Sequence, residues 1–139
     1  MCSRITFDPG ELDLEAVFAF LHDEAYWSRG RTREVFDASI EGSALVLGAI
    51  DDQGRTLGFA RVVSDRATFA WLCDVFVFPA FRGVGLGHTL VEAAITHSYI
   101  AGVKRHLLAT TDAHGLYAEH GFRALDTPAR WMERIGADT

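Results

Sequence analysis

The segment Arg82–Gly87 has the residue types and spacing of an anion-binding turn. Arg82 is followed by glycines at positions 83, 85 and 87, and a helical pattern begins inside the same turn. Glycine leaves backbone N–H groups uncovered, and a helix N-terminus adds further N–H groups and a favourable dipole. The segment, called the glycine turn below, is therefore predicted to bind the pyrophosphate of a coenzyme.

Three other interpretations of the glycine turn can be compared with this one. A dinucleotide-binding fingerprint needs a third glycine where this chain has His88, and its turn follows the first strand of a parallel sheet. A P-loop needs Gly-Lys-Ser/Thr, a sequence that is absent here. A glycine-rich turn with a purely structural role stays open from this segment alone.

Hydrophobic periodicity and turn residues predict the elements that position the glycine turn. Short turns between three successive strands indicate an antiparallel meander, and the strand–helix–strand unit that follows indicates a parallel pair. The predicted strands are Ser3–Phe7, Ala44–Ile50, Thr56–Val63, Phe69–Phe78, Arg105–Ala109, Phe122–Leu125 and Arg130–Glu133. The predicted helices are Leu14–Ala25, Thr32–Ile40, Leu86–Tyr99 and Ala113–Glu119.

The composition limits the classes of partner. The chain has 139 residues, 49% of them hydrophobic, and a formal net charge of −6. Its Lys and Arg residues are scattered without a basic stripe, so nucleic acid is not an expected partner. No apolar run approaches the roughly 20 residues that span a bilayer and no signal peptide is evident, so a cytoplasmic location is expected. The histidine spacings match no zinc signature, and no metal site is expected.

Two segments together resemble motifs of the GNAT superfamily, the acyl-CoA-dependent N-acetyltransferases. The first, Val75–Gly87, contains the pattern Arg/Gln-x-x-Gly-x-Gly/Ala, which begins at Arg82 after a hydrophobic strand. The second, Asp112–Phe122, has Tyr117 before a Gly-Phe pair. The resemblance implies one GNAT-like domain over residues 1–139, with an α+β, three-layer α/β/α fold. Its mixed, mostly antiparallel sheet would have about seven strands with a splayed parallel pair in the centre.

The resemblance also implies which residues would bind acetyl-CoA, the acyl donor. Backbone N–H groups of the glycine turn would bind the pyrophosphate, and the Arg82 region would add positive charge. The pantetheine arm would lie between the splayed strands and bond to the backbone near Phe76 and Val77. The residues implied in coenzyme binding are Phe76, Val77, Arg82, Gly83, Val84, Gly85, Leu86, Gly87 and His88.

Acetylation of an amine needs an acid and a base. The amine attacks only when it is unprotonated, and a lysine-type amine has a pKa of about 10.4. The resemblance makes Tyr117 the predicted acid, which would protonate the leaving thiolate. Asp74 is the predicted base, with Asp23 and Glu24 as competitors.

The choice of Asp74 rests on its place in a hydrophobic strand. Period-two alternation predicts that its side chain shares one strand face with Leu72 and Phe76. Burial there would raise the pKa of its carboxyl, as a base requires. The alternative is a structural role, in which Asp74 pairs with an arginine such as Arg61.

The loop at residues 25–31 is predicted to border the pocket for the acceptor amine. Tyr26 and Trp27 lie beside Glu24, and aromatic rings next to carboxylates suit an ammonium group through cation–π attraction. These three residues are therefore the predicted acceptor-binding residues. The alternative is that the two aromatic rings close the core under the loop.

The leading hypothesis is an N-acetyltransferase that transfers an acetyl group from acetyl-CoA to a primary amine by direct attack in a ternary complex. A non-catalytic acyl-CoA-binding sensor or partner module of the same fold is the first alternative. A nucleotide-binding module that uses the same turn is the second. Small amines, amino acids, peptide N-termini and protein lysines all stay open as acceptors, as does a homodimer formed through the last strands.

Overall fold

The fold is built on one mixed β-sheet, seen in a computed structural model that describes residues 2–136. Its strands, in chain order and in spatial order, are β1 Ser3–Thr6, β2 Leu45–Asp51, β3 Thr56–Ser64, β4 Ala70–Val77 and β5 His106–Leu107. The helices are α1 Leu14–Asp23, α2 Arg33–Gly42, α3 Leu86–Thr96 and α4 His114–Ala118. Strands β1 to β4 are antiparallel neighbours and β4 pairs with β5 in parallel, which confirms the predicted α+β sheet with one parallel pair.

Local capping residues determine where the first two helices begin. The side chain of Asp13 accepts a hydrogen bond from the N–H of Ala16, and that of Thr32 accepts one from Val35. Such caps satisfy backbone donors that the helix itself leaves without partners. None of the helices within residues 2–136 has the length and apolar character that a membrane crossing needs.

Helices cover both faces of the sheet. On one face Leu90 and Val91 of α3 pack with Leu47 of β2, and on the other Leu21 of α1 packs with Phe59 of β3. These five side chains are fully buried, and burial of each contributes about 1.5–3 kcal/mol. The result is the predicted three-layer α/β/α arrangement.

Strand β4 contains a β-bulge at Asp74. The register shifts between Phe59 and Arg61 of β3, so that Asp74 and Val75 together oppose one residue of the neighbouring strand. Asp74 has a left-handed φ of 53°, which aspartate tolerates better than most residues that carry a Cβ. Bulges redirect side chains, and this one redirects the carboxylate of Asp74.

The bulge reverses the alternation of side chains along β4. Leu72 packs in the core under α3, whereas Phe76 packs in the core under α1 and α2. The prediction that Leu72, Asp74 and Phe76 share one face is therefore wrong, because the extra residue moves every later side chain to the opposite face.

The parallel pair is short. Only Ala70 with His106 and Trp71 with Leu107 are paired between β4 and β5. The fifth predicted strand, Arg105–Ala109, is thus reduced to two residues. The remainder of β4 has no parallel partner within the described range, and the cavities described below are lined by this part of the strand.

The last two predicted strands, Phe122–Leu125 and Arg130–Glu133, are wrong. Within residues 121–136 the regular element is a 3-10 turn, Pro128–Arg130. A proline has no N–H to donate to a sheet ladder and favours turns, so Pro128 interrupts the segment that would have to form the terminal hairpin. The sheet therefore has five strands in the described part of the chain and not about seven, and without further strands the parallel pair lies at its edge and not in the centre as predicted.

Candidate functional site

Two neighbouring cavities share one wall. The glycine-turn cavity, of about 440 Å³, is lined by the glycine turn, the end of β4 and the end of α1. The Asp74 cavity, of about 320 Å³, is lined by the bulge of β4, Arg61 of β3 and the loop after β5. The residues that line both cavities are Tyr26, Trp27, Val75, Asp112, Ala113 and Tyr117. Groups bound in the two cavities can therefore meet at this shared wall.

The backbone of the glycine turn has the geometry of an anion site. Gly83 and Gly85 have φ values of 90° and 82°, a region that side chains with a Cβ rarely adopt. Gly85 caps α3, and the first helical bond runs from the N–H of Thr89 to its carbonyl. The N–H groups of residues 86–88 precede that bond and have no partner inside the helix, so they are available to an anion at the positive end of the helix dipole.

Most residues predicted to bind the coenzyme line the glycine-turn cavity. Seven of the nine do so, namely Phe76, Val77, Arg82, Gly83, Gly85, Leu86 and Gly87. Val84 is exposed in the turn and does not line the cavity. The ring of His88 points elsewhere, with its Nδ1 3.1 Å from Nε2 of His120, so His88 can contribute its backbone N–H but not its side chain.

Arg82 is held against the end of β4. Its Nε donates a hydrogen bond of 2.8 Å to the carbonyl of Val77. The guanidinium thus lies at the border of the glycine-turn cavity, between the strand and the turn. This position brings a positive charge next to the free N–H groups at the start of α3.

Tyr117 lies at the shared wall and is buried. Burial, reinforced by the nearby Tyr26 and Asp112, raises the pKa of its hydroxyl to about 12. The phenol is therefore protonated at neutral pH. A protonated hydroxyl between the two cavities is able to donate a proton to a group that becomes negative there.

Asp74 lies at the centre of a buried ion-pair network. Its Oδ1 accepts hydrogen bonds from Nε1 of Trp27 at 2.8 Å and from Nη2 of Arg31 at 3.2 Å. Its Oδ2 accepts from Nη1 of Arg31 at 2.7 Å and from Nε of Arg61 at 2.6 Å. A carboxylate has about four acceptor positions, so this network uses all of them.

The pKa of Asp74 is lowered and not raised as predicted. Burial alone would raise it, but hydrogen bonds and charges from Arg31 and Arg61 outweigh that effect. The carboxylate is therefore ionised and fully bonded, and accepting a proton from an amine would break one of these bonds. The geometry matches the structural alternative, in which Asp74 pairs with Arg61.

The three predicted acceptor-binding residues are distributed over the two cavities. Tyr26 and Trp27 line both, whereas Glu24 lines only the glycine-turn cavity. The two aromatic side chains are 50% and 42% exposed, so they do not close a core under the loop. Asp23, named as a competing base, lines neither cavity.

The hydroxyl of Tyr26 ties the α1–α2 loop to the segment after β5. It accepts a hydrogen bond of 3.0 Å from the backbone N–H of Thr111. Hydrogen bonds from Thr111 lower the pKa of this hydroxyl. The bond connects two segments that are 85 positions apart and so helps to form the shared wall.

Two site residues were missed by the sequence reasoning. Asp112 lines both cavities. The sequence feature that could have indicated this is its position at the start of the motif that contains Tyr117. Arg31 binds Asp74 from 43 positions away, and an arginine in a loop carries no local signal of such a partner.

A thiol nucleophile is poorly supported at this site. Cys73 lines the Asp74 cavity, but burial raises the pKa of its thiol to about 11, which disfavours the nucleophilic thiolate at neutral pH. Among residues 2–136, no three or more His, Cys, Asp or Glu side chains are grouped so that they could hold a metal ion.

The comparison with protein families identifies the chain. The model of the acetyltransferase (GNAT) family matches residues 13–122. The chain belongs to the GNAT acetyltransferase family. Members of this family use acetyl-CoA, and the glycine turn and Tyr117 both lie within the matched GNAT region.

Relatives of this GNAT protein agree with that assignment. A crystal structure of a GNAT-family protein from Xanthomonas campestris pv. campestris is 38% identical, covers 98% of this chain and 94% of its own, and superimposes with a TM-score of 0.92. The fold is also similar to that of SA2161 from meticillin-resistant Staphylococcus aureus, at 21% identity and a TM-score of 0.76 over 98% and 100% of the chains. The uncharacterized N-acetyltransferase ycf52 of Pyropia yezoensis is 28% identical over 106 residues, which are 73% of this chain and 60% of that protein.

Proposed function

We propose that the chain is an N-acetyltransferase that transfers an acetyl group from acetyl-CoA to a primary amine. The observation that carries this proposal is the shared wall, where a protonated Tyr117 borders both the glycine-turn cavity and the Asp74 cavity. Two substrates bound on either side of one acid can react directly, without a covalent enzyme intermediate.

Acetyl-CoA would occupy the glycine-turn cavity. Its pyrophosphate would accept hydrogen bonds from the N–H groups at the start of α3, with Arg82 adding positive charge. Its pantetheine arm would follow the unpaired part of β4 near Phe76 and Val77. The thioester would then lie at the shared wall beside Tyr117.

The reaction would be a direct displacement. The amine nitrogen attacks the thioester carbonyl carbon, the C–N bond forms, and the C–S bond breaks. The departing sulfur takes the proton of Tyr117, and the attacking nitrogen releases one proton. The phenolate of Tyr117 then takes a proton from solvent, which restores the phenol. Asp112 is our candidate to accept the amine proton, directly or through water, because it lines both cavities and forms no salt bridge within residues 2–136.

Calorimetric titration with acetyl-CoA and an assay of thiol release with a panel of amines test the proposal. We expect binding and steady thiol release. In Tyr117→Phe, turnover should fall about 10²–10⁴-fold, the range for loss of a general acid, while coenzyme affinity stays nearly unchanged. Tyr99→Phe is the matched control, because Tyr99 is half-exposed and lines neither cavity. Equal turnover in Tyr117→Phe would remove this residue from the mechanism.

A non-catalytic acyl-CoA-binding module of the same fold is the second candidate. The observation that favours it is the saturation of Asp74, which leaves the predicted base without a free acceptor position. This candidate predicts binding of acetyl-CoA without thiol release for every amine tested. Steady thiol release with any one amine excludes it.

Four further expectations from the sequence stay predictions. They are a single domain over residues 1–139, a cytoplasmic location, no nucleic-acid partner and an open choice between monomer and homodimer. The oligomeric state can be measured directly by light scattering on the purified chain.

A further inference from the structure

The floor of the Asp74 cavity carries an excess of positive charge. Arg31 and Arg61 both bind the single carboxylate of Asp74 and both line the cavity. Their side chains are 16% and 13% exposed and that of Asp74 is 2% exposed. Two guanidinium groups face one carboxylate here, while the other charged lining residue, Asp112, lies on the shared wall. The positive charge at this end of the cavity is therefore only partly compensated, in a nearly buried place where charges are weakly screened.

Both guanidinium groups also have more N–H donors than the described residues use. Each has five N–H groups. Arg31 binds Asp74 through Nη1 and Nη2, and Arg61 uses Nε for Asp74 and Nη1 for Ser43. Within residues 2–136, Nε of Arg31 and Nη2 of Arg61 have no hydrogen-bond partner. Because Asp74 fixes both side chains, these donors are pre-organised for a further anion.

The rest of the Asp74 cavity limits the size and shape of what it can hold. A volume of about 320 Å³ is at the small end of the range for ligand pockets, about 300–1,000 Å³. Its side walls include the apolar residues Trp71, Leu72 and Val75. Asp112 and Tyr117, which line the same cavity, lie on the wall that it shares with the glycine-turn cavity.

We propose that the acceptor is a small primary amine that also carries a carboxylate or phosphate group, which Arg31 and Arg61 bind. The amine would point to the shared wall and the anionic group to the two arginines. This inference rests on the proposed function and narrows the acceptor class of the same site. A lysine in the middle of a protein chain lacks an anionic group at the required place and is therefore disfavoured.

Matched acceptor pairs test the inference on the wild-type protein. The pairs are β-alanine with β-alaninamide, and phosphoethanolamine with ethanolamine, which also distinguish carboxylate from phosphate. We expect kcat/KM to be at least about tenfold higher for the anionic member of one pair or both, since a buried site built for a polar group discriminates strongly. The amine of β-alaninamide is less basic than that of β-alanine, so protonation alone would bias that pair against the expected result.

Substitutions connect the preference to the two arginines. Arg61→Gln should reduce the preference for the anionic member about tenfold, mainly through a higher KM of that member, with coenzyme affinity unchanged. Asp74→Asn should retain part of the preference when assayed at a temperature where it is folded, because asparagine still has an Oδ1 that can accept from Arg31 and the variant keeps both guanidinium groups. Arg33→Gln is the control, because Arg33 lies on the surface and lines neither cavity.

The outcomes separate failure of the inference from failure of the proposed function. Equal or higher kcat/KM for the neutral members of both pairs overturns the inference and leaves the acetyltransferase intact. A preference that survives in Arg61→Gln and is lost in Asp74→Asn also overturns it. If the folded protein binds acetyl-CoA but releases thiol with none of the amines tested, the proposed function is refuted instead.

Discussion

The glycine turn and the Asp74 network differ in which part of the chain they use. The turn offers backbone N–H groups from consecutive residues, and its conformation depends on glycines with left-handed φ. The network consists of side chains from the α1–α2 loop, β3 and β4. A backbone site tolerates changes of neighbouring side chains, whereas one substitution changes a side-chain network. The coenzyme side of this fold is therefore expected to be the constant part, and the Asp74 side the part that adapts to an acceptor.

The largest effect is expected at the glycine turn. In Gly85→Glu a side chain is forced into a backbone with φ of 82°, and a carboxylate enters the proposed pyrophosphate site. We expect calorimetry to detect no binding of acetyl-CoA. Gly54→Glu is the matched control, since Gly54 also has a left-handed φ, 79°, with open space around it, and lines neither cavity. Retained binding in Gly85→Glu would mean that the turn is structural only.

A large loss of stability is expected from the Asp74 network. Asp74→Asn removes the one carboxylate that pairs with two nearly buried guanidinium groups, and such a change costs about 3–5 kcal/mol of unfolding free energy. Urea unfolding measures it. Asp37→Asn is the control, because Asp37 pairs with Arg33 on the surface and such pairs contribute about 0–1 kcal/mol. A loss as small as that of the control would mean that the network is not stabilising.

The stability difference between wild type and Asp74→Asn should also depend on pH. Asp74 has a lowered pKa in the folded chain, so its contribution to stability is complete above the pKa of an unfolded aspartate, about 3.9. The contribution is lost as the pH falls through the lower folded value. The stability difference between wild type and Asp74→Asn should therefore be constant near neutral pH and shrink below about pH 4. A difference that grows on acidification would contradict the ion-pair explanation.

The two regions also differ in what their sequences could reveal. Turn shape, helix start and the meander of β2 to β4 depend on neighbouring residues, and each was predicted. The ion pairs of Asp74 join residues 43 and 13 positions apart, so local patterns could not predict both partners. The bulge arises from the pairing of β3 with β4, which is why period-two alternation put Asp74 on the wrong face.

The prediction of strands in the C-terminal segment was wrong for a different reason. Phe122–Leu125 has the apolar content of a strand, yet a strand exists only when a neighbour supplies hydrogen bonds. β5 is only two residues long and Pro128 begins a turn, so no terminal hairpin is formed in the described range. Strand propensity alone therefore predicted two strands too many.

The smallest effect is expected at the bond that joins the two regions. Tyr26→Phe removes the hydroxyl that accepts the N–H of Thr111 but keeps the ring that contacts Trp27 edge-on. The freed N–H is at the surface and can bind water, so the loss of unfolding free energy should be near the low end of about 0.5–1.5 kcal/mol. Urea unfolding measures this loss, with Tyr99→Phe as the control.

Tyr26→Phe should also change the kinetics, and at the Asp74 cavity only. The α1–α2 loop carries Arg31 into the Asp74 cavity, while the glycine turn is held by its own backbone. Loosening the loop should therefore raise the KM of the acceptor amine severalfold and leave the dissociation constant of acetyl-CoA unchanged. If coenzyme affinity fell instead, the loop would support the glycine turn as well, and the two regions would not be independent.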